Sequence, residues 1–353
     1  MLTTMPNRYS TFSSEARQIE HMGAASIRRI ALPYHQSGMA DQSRAFLHFA
    51  REVRGFIHGR RYDAVFATSS RLATGFLGAW VARRYRVPLY LDIRDIFADT
   101  MEDVLNGSPL RVLLPAVKAV ERYTLRSAAT INVVSAGFLP YFKTRNPKKR
   151  FRCYPNGIDE GFLEYDFKKI HTPGVPKTIL YAGNIGEGQG LHRIVPELAR
   201  LAGDNWRMTI VGDGGRRREL ERQIRRSGLT NIERLDPVPR GALMELYRKA
   251  DVLFLHLNDY KAFKRVLPSK VFEYAATGKA MLAGVAGHAA GFIKKHIDNA
   301  AVFPPCDAAA GVLALHRLNF TPTPREAFIS RYTRSTIMER MVDDMLHTFD
   351  RVV

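Results

Sequence analysis

The sequence predicts an α/β protein built of two parallel-sheet domains, and three observations carry that expectation. Short apolar strands alternate with amphipathic helices along most of the chain, the pattern of βαβ units. At 353 residues the chain exceeds what one core usually organises, so two domains are expected. Glycines gather directly after strands of the second half, where open parallel sheets hold their ligands.

In chain order, Leu2–Met5 and Ser26–Leu32 read as strands separated by a polar loop. Residues 42–59 form an amphipathic helix, with Phe46, Phe49, Ala50, Val53, Phe56 and Ile57 on one face. Arg44, His48, Arg51, Arg54 and His58 cover the other. Strand 64–68, helix 71–84 and strand 88–93 follow, and the last delivers Arg94 and Asp95 at its carboxyl end. Helix 109–126 and strand 130–134 complete the first series, with Ser135 opening a short helix. Polar, Pro-rich chain at 146–150 and 165–177 predicts the crossing between domains, placing an N-terminal domain at 1–160 and a C-terminal one at 161–324. The second series has strands at 178–182, 207–211, 231–234, 251–256 and 280–283. Its helices fall at 190–202, 216–227 and 241–249. Residues 325–350 read as one long terminal helix.

The composition narrows the function. The 53 Lys and Arg outnumber 34 Asp and Glu, a net charge of +19 shared by both halves. Such a field favours anionic partners: phosphorylated substrates, an anionic membrane face or nucleic acid. No basic tail, RNA-binding signature or zinc-finger spacing is present, so nucleic acid is not expected. Two distant cysteines, Cys153 and Cys306, fit a reducing cytoplasm. No signal peptide or spanning segment is read, and no His pattern or D-x-D triplet suggests a metal.

The stretch Arg265–Ala283 holds the densest chemistry. Pro268 suits the first turn of a helix, Ser269 and Lys270 sit on that turn, and Thr277-Gly278 ends it. Val271, Phe272, Ala275 and Ala276 mark the buried face. A hydroxyl and a lysine at a helix start suit phosphate, and Glu273 one turn on suits a pair of sugar hydroxyls. A solvated lysine on an ordinary capped helix would give the same local pattern. Around it stand the loops Gly183–Gly190 and Gly212–Gly215, and Pro237-Val238-Pro239 after the next strand. Four loops on one rim describe a nucleotide-diphosphate pocket, although the glycines would also serve as tight turns. Neither loop completes G-x-G-x-x-G, since Leu191 and Arg217 replace the third glycine, and Gln189 breaks a Walker loop. A nicotinamide or flavin oxidoreductase is therefore disfavoured.

The ordered series Pro155-Asn-Gly-Ile-Asp159, Tyr181-Ala-Gly-Asn-Ile-Gly186, Val211-Gly-Asp-Gly214 and Pro268-Ser-Lys-Val-Phe-Glu-Tyr-Ala-Ala-Thr-Gly278 resembles the retaining GT-B glycosyltransferases of family four. Leu91-Asp-Ile-Arg-Asp-Ile-Phe97 with Pro268-Ser-Lys270 resembles their WbuB-like branch, bacterial O-antigen and capsule enzymes of the N-acetyl-L-fucosamine type. The resemblance implies two Rossmann-like domains facing across a cleft, with the terminal helix, 325–353 in all, returning to complete the first. It implies a UDP-linked donor as substrate, no cofactor and no metal. Donor-binding positions would be Gly183, Asn184, Gly212, Asp213, Gly214, Val238, Ser269, Lys270 and Glu273. Arg94, Asp95 and Lys270 would carry the catalytic duties, the first two by position where relatives orient the acceptor. A strand-end salt bridge is the alternative for Arg94 and Asp95.

Three departures stand out. Arg265 occupies the place of the first Glu of the family's Glu-x7-Glu, and Asn184 and Gln189 replace the basic residues of the first glycine loop. Diphosphate charge would then fall to Lys270, helped by Lys264 or Arg265. Finally, about one βαβ unit, of the order of 30 residues, is expected to be missing before Leu2. Such a loss would leave a misassigned start, or a truncated, non-catalytic paralogue that binds nucleotide or a partner. In the enzyme reading the acceptor is a polyprenyl-diphosphate-linked saccharide. Arg111, Lys118, Arg122 and Arg126, with helix 42–59, would set the protein as a peripheral enzyme on the cytoplasmic face of the plasma membrane, unless those faces are simply solvated.

Overall fold

A computed structural model describes residues 1–6, 16–33, 39–69, 71–96, 109–168 and 176–350. Phe97 and the 169–175 part of the expected crossing lie outside the described residues.

The first half contains β1 (Leu2–Thr4), β2 (Ile19–Met22), β3 (Ala25–Ile30), α1 (Met39–Ile57), β4 (Val65–Ser69), α2 (Leu72–Tyr85) and β5 (Leu89–Ile93). It continues with α3 (Leu114–Ser127), β6 (Thr130–Val133), α4 (Leu139–Arg145) and β7 (Arg150–Cys153). Strands β4-β5-β6-β7 make one all-parallel sheet in sequential order. A separate sheet has the order β1-β3-β2, with β1 parallel and β2 antiparallel to β3. Strand β2 falls where a polar loop is expected: Glu20 and His21 carry no apolar signal, and backbone pairing across the Gly23 turn makes the strand. Strand β7 likewise was not expected: it begins at Arg150, the last residue of the polar segment 146–150 assigned to the crossing. Its register against β6 is supplied by the neighbouring strand rather than by its own composition. Helix 109–126 opens as a 3-10 turn, Pro109–Leu113, because the prolines at 109 and 115 limit the first α-helical turn.

The second half contains β8 (Lys177–Ala182), α5 (Leu191–Ala202), β9 (Trp206–Val211), α6 (Arg217–Ser227), β10 (Ile232–Leu235), α7 (Arg240–Lys249) and β11 (Val252–His256). Then come α8 (Lys270–Ala276), β12 (Ala280–Gly284), α9 (Gly287–His296), β13 (Ala300–Phe303) and α10 (Ala308–Leu315). All six strands are parallel, in the order β10-β9-β8-β11-β12-β13. Alternate side chains serve the two faces: Leu180 and Ala182 join one buried cluster, Ile179 and Tyr181 the other. The α/β architecture of two parallel-sheet, Rossmann-like halves is therefore present.

The terminal segment is two helices rather than one, α11 (Glu326–Tyr332) and α12 (Arg334–Asp350). The break is at Thr333, whose backbone is extended and pairs with Ile158 in the crossing. Ile158 N–H donates to Tyr332 O at 2.7 Å, and Arg334 N–H donates to Ile158 O at 2.8 Å. The two passages of chain between the halves are thereby hydrogen-bonded to each other. Beyond this point α12 docks on the first half. Asp344 accepts from Arg150 at 2.6 Å, Arg152 at 2.7 Å and the Tyr90 hydroxyl at 3.1 Å.

Candidate functional site

The glycine loops after β8 and β9 interlock. Gly183 N–H donates to Val211 O and Ile185 N–H to Asp213 O, both at 2.8 Å. A Cβ on Gly212 would overlap the carbonyl oxygen of Gly183, so only glycine permits this approach. Lys270 lies against the same loop: a Cβ on Gly183 would meet Lys270 Cε and stand 2.9 Å from Nζ. Thus Gly183, Gly212, Gly214 and Lys270, remote in sequence, meet at the carboxyl ends of adjacent parallel strands.

Helix α8 is held from both ends. Val271, Phe272, Tyr274 and Ala275 are fully buried, and the Tyr274 hydroxyl accepts from Ala182 N–H at 3.4 Å. Tyr274 belongs to the buried face although its spacing did not single it out, and Ala276 is only half-buried. At the other end the buried Arg325 guanidinium donates to Ala275 O at 3.0 Å, Lys279 O at 2.9 Å and Asp298 O at 2.7 Å. It satisfies carbonyls that a helix terminus leaves unpaired. Burial lowers its pKa to about 10 against the opposing pull of the Asp298 charge. Ser269 is exposed and makes no side-chain cap, while Glu273 is half-buried in the first turn.

The remaining positions expected at a donor site have the following surroundings. Asn184 Nδ2 donates to Gln189 Oε1 at 2.9 Å, so the two residues that replace basic groups brace the loop against itself. Asp213 accepts from Gly214 N–H at 2.8 Å. Val238 is half-buried against the core cluster that includes α8. The helpers expected for Lys270 have partners of their own. Lys264 pairs with Asp259 at 3.3 Å, and the Arg265 guanidinium lies 5.6 Å from the Tyr141 ring centre. Lys270 is the basic side chain that these contacts bring onto the interlocked loops.

Two supports had no motif. Glu187 takes hydrogen bonds from Tyr260, Arg216 and Asn258, tying the first glycine loop to two others. These contacts hold the Glu187 carboxyl below its usual range. His256, wholly buried at the end of β11, donates from Nδ1 to Gln189 O at 2.6 Å and accepts Cys306 N–H at Nε2, 2.9 Å. Burial lowers its pKa to about 4, so the ring is neutral and its tautomer is set by these two partners.

In the first half, Arg94 and Asp95 follow β5 as expected, but they are not each other's hydrogen-bond partners. The partner of Arg94 is the fully buried Asp92, at 2.9 Å. Asp92 also accepts from Thr68 at 3.0 Å and Asn132 at 2.7 Å. Arg94 reaches on to Asn156 in the interdomain crossing, at 2.5 Å. The sequence carried one signal for this array, a carboxylate, Asp92, two residues before Arg94 on the same strand face. Asp95 is exposed, yet the protein around it removes part of the hydration of its carboxyl. That desolvation raises its carboxyl to about 6 against the opposing pull of Arg94.

Arg94 and Asp95 thus follow β5, while Lys270, on the first turn of α8, lies against the loop after β8. The loop after β6 touches the segment after β11, Ser135 Oγ donating to Arg265 O at 2.6 Å. Among the described residues, no group of three or more His, Cys, Asp and Glu is placed to hold a metal ion.

Comparison with known proteins agrees with this geometry. Residues 164–334 match the family described as glycosyl transferases group 1, and residues 4–157 match the glycosyl transferase 4-like domain. WcaI of Escherichia coli K12, named as a colanic acid biosynthesis glycosyl transferase, is 34% identical over 110 residues. That match covers 31% of this chain and 27% of WcaI. The D-rhamnosyltransferase WbpZ of Pseudomonas aeruginosa is 28% identical over 211 residues, 57% of this chain and 52% of the relative. The matched region therefore spans about a quarter to a half of these curated relatives. In structure, Anabaena HepE in complex with UDP-glucose superposes with a TM-score of 0.67 at 15% identity, covering 91% of this chain and 86% of HepE.

Proposed function

We propose that this chain, which belongs to the group 1, GT4-like family of GT-B glycosyltransferases, moves a sugar from a UDP-linked donor to a lipid-linked saccharide. The sugar is an N-acetylated hexosamine or deoxyhexosamine, transferred with retention and without a metal, in bacterial O-antigen or capsule synthesis of the WbuB-like kind. The carrying observation is Lys270 laid on Gly183, where the two glycine loops interlock. A diphosphate leaving group gains negative charge in the transition state, and a preorganised lysine beside backbone donors stabilises it. Glu273, one turn into α8, takes the ribose hydroxyls, and Val238 borders the base. No carboxylate is named as a covalent nucleophile, so attack comes from the face that the diphosphate leaves.

The first test is incubation with a panel of UDP-N-acetylhexosamines and a polyprenyl-diphosphate acceptor; product with inverted anomeric configuration, or none with any donor, defeats the reading. Glu273→Ala should weaken UDP binding about tenfold, the scale of hydrogen bonds to a charged group. An unchanged dissociation constant by calorimetry removes Glu273 from the site.

Asp95 is assigned to orient the acceptor hydroxyl as a carboxylate. Its folded-state pKa is raised to about 6, so protonation sets in as pH falls through that value. The kcat/KM profile should lose about tenfold per pH unit below the limb near 6. Asp95→Asn should be slow and lack that limb; a limb that survives the substitution belongs to another group.

The membrane face is assigned to Arg111, Lys118 and Arg122 with the exposed Val112 and Leu113 of the 3-10 turn. Leu114, by contrast, is buried in the protein. No helix among the described residues is long and apolar enough to cross a membrane. A surface of this kind adsorbs to anionic lipid from one side.

A further inference from the structure

One contact between the two halves is made on a backbone carbonyl. Ser135 Oγ donates to the carbonyl of Arg265 at 2.6 Å. Two residues on, a Cβ on Gly137 would overlap that same carbonyl oxygen and stand 2.8 Å from His288 Cβ. The Arg265 guanidinium turns onto Tyr141 of the first half, and Val266 packs against the cores of both halves. From Val266 the chain runs through the buried Leu267 and the stiff Pro268 directly into Lys270. The segment that carries Lys270 onto Gly183 is therefore gripped by the opposite domain five residues earlier.

We propose that Ser135 and Gly137 are positioning residues for the donor: their docking on Arg265 holds the 264–270 segment, so cleft closure and the placement of Lys270 are one event. The proposal deepens the nucleotide-sugar reading and rests on it for the identity of the ligand. The physical basis is that 266–269 lies in no helix or strand, so beyond the packing of Val266 and Leu267 its position depends on its end contacts. Opening the halves breaks the Ser135 bond and empties the space against Gly137, which frees the approach to Lys270. A contact made in one state only couples two sites without either touching the other's ligand.

The experiment compares the full chain with Ser135→Ala, Ser135→Thr and Gly137→Ala, using Gly55→Ala as the control. Gly55 lies on α1 with nothing within 4 Å of an added Cβ. Amide hydrogen exchange over 263–273 should speed about tenfold in Ser135→Ala and Gly137→Ala, as for local opening that has lost one hydrogen bond. Ser135→Thr, which keeps the hydroxyl, and Gly55→Ala should exchange like the parent. UDP binding by calorimetry should weaken about tenfold in the two faster variants. Unchanged exchange in both alanine variants overturns the proposal. Faster exchange with undiminished UDP affinity overturns the link to the donor. If the parent binds no UDP, the nucleotide reading fails, while exchange still decides whether the contact holds the segment. Ser135→Ala adds no atoms, so it decides the matter even if Gly137→Ala folds poorly.

Discussion

Lys270→Met should lower sugar transfer about 10²- to 10³-fold, the cost of removing one preorganised donor from a developing oxyanion, about 3–4 kcal/mol. Methionine keeps an unbranched stem against Gly183, so the loops stay packed and only the charge is lost. The effect should exceed that in a typical relative. Asn184 and Gln189 are spent on each other, Lys264 on Asp259, and Arg265 faces Tyr141. The measurement is kcat with saturating donor, alongside the UDP dissociation constant. A variant within threefold of the parent in both would mean that Lys270 is a solvated lysine on a capped helix.

Asp92→Ala should destabilise the protein by about 3 kcal/mol, the low end of the range for removing one member of a buried ion pair. The low end applies because Arg94 is 38% exposed and can recruit water, whereas Asn132 is wholly buried and loses the acceptor of its amide. Asp92→Asn keeps one acceptor and should cost about 1 kcal/mol. Urea denaturation followed by circular dichroism reads both. Transfer should fall as well, since Arg94 would then be aimed only by Asn156 and Thr68. A stable, fully active Asp92→Ala protein would show that the array is incidental to the cleft.

The donor half was the more legible part of the chain. Its central strands β11 and β12 are buried throughout because both faces of that sheet are covered, and glycines follow β8 and β9 directly. The first half was harder for the same physical reason reversed. Strands β2 and β7 are half-exposed and polar, and they exist because a neighbour offers a backbone ladder, which composition does not encode. The terminal helix was read as one piece because apolar spacing continues past Thr333. The break comes from a bridge to Ile158, 175 residues earlier by the Asp159–Arg334 pair that flanks it.

What the sequence determined by itself is the alternation of strands and helices, the glycine positions and the helical turn that carries Lys270 and Glu273, because local periodicity and turn chemistry act over a few residues. Tertiary structure decided the pairings. It set Arg94 on Asp92 and Asn156 rather than on Asp95, paired Lys264 with Asp259 and laid the Arg265 guanidinium toward Tyr141. It also placed the carbonyl of Arg265 in the grip of Ser135 and Gly137. Ion pairs and close packing depend on distances between segments far apart in the chain, and no spacing within either segment records them.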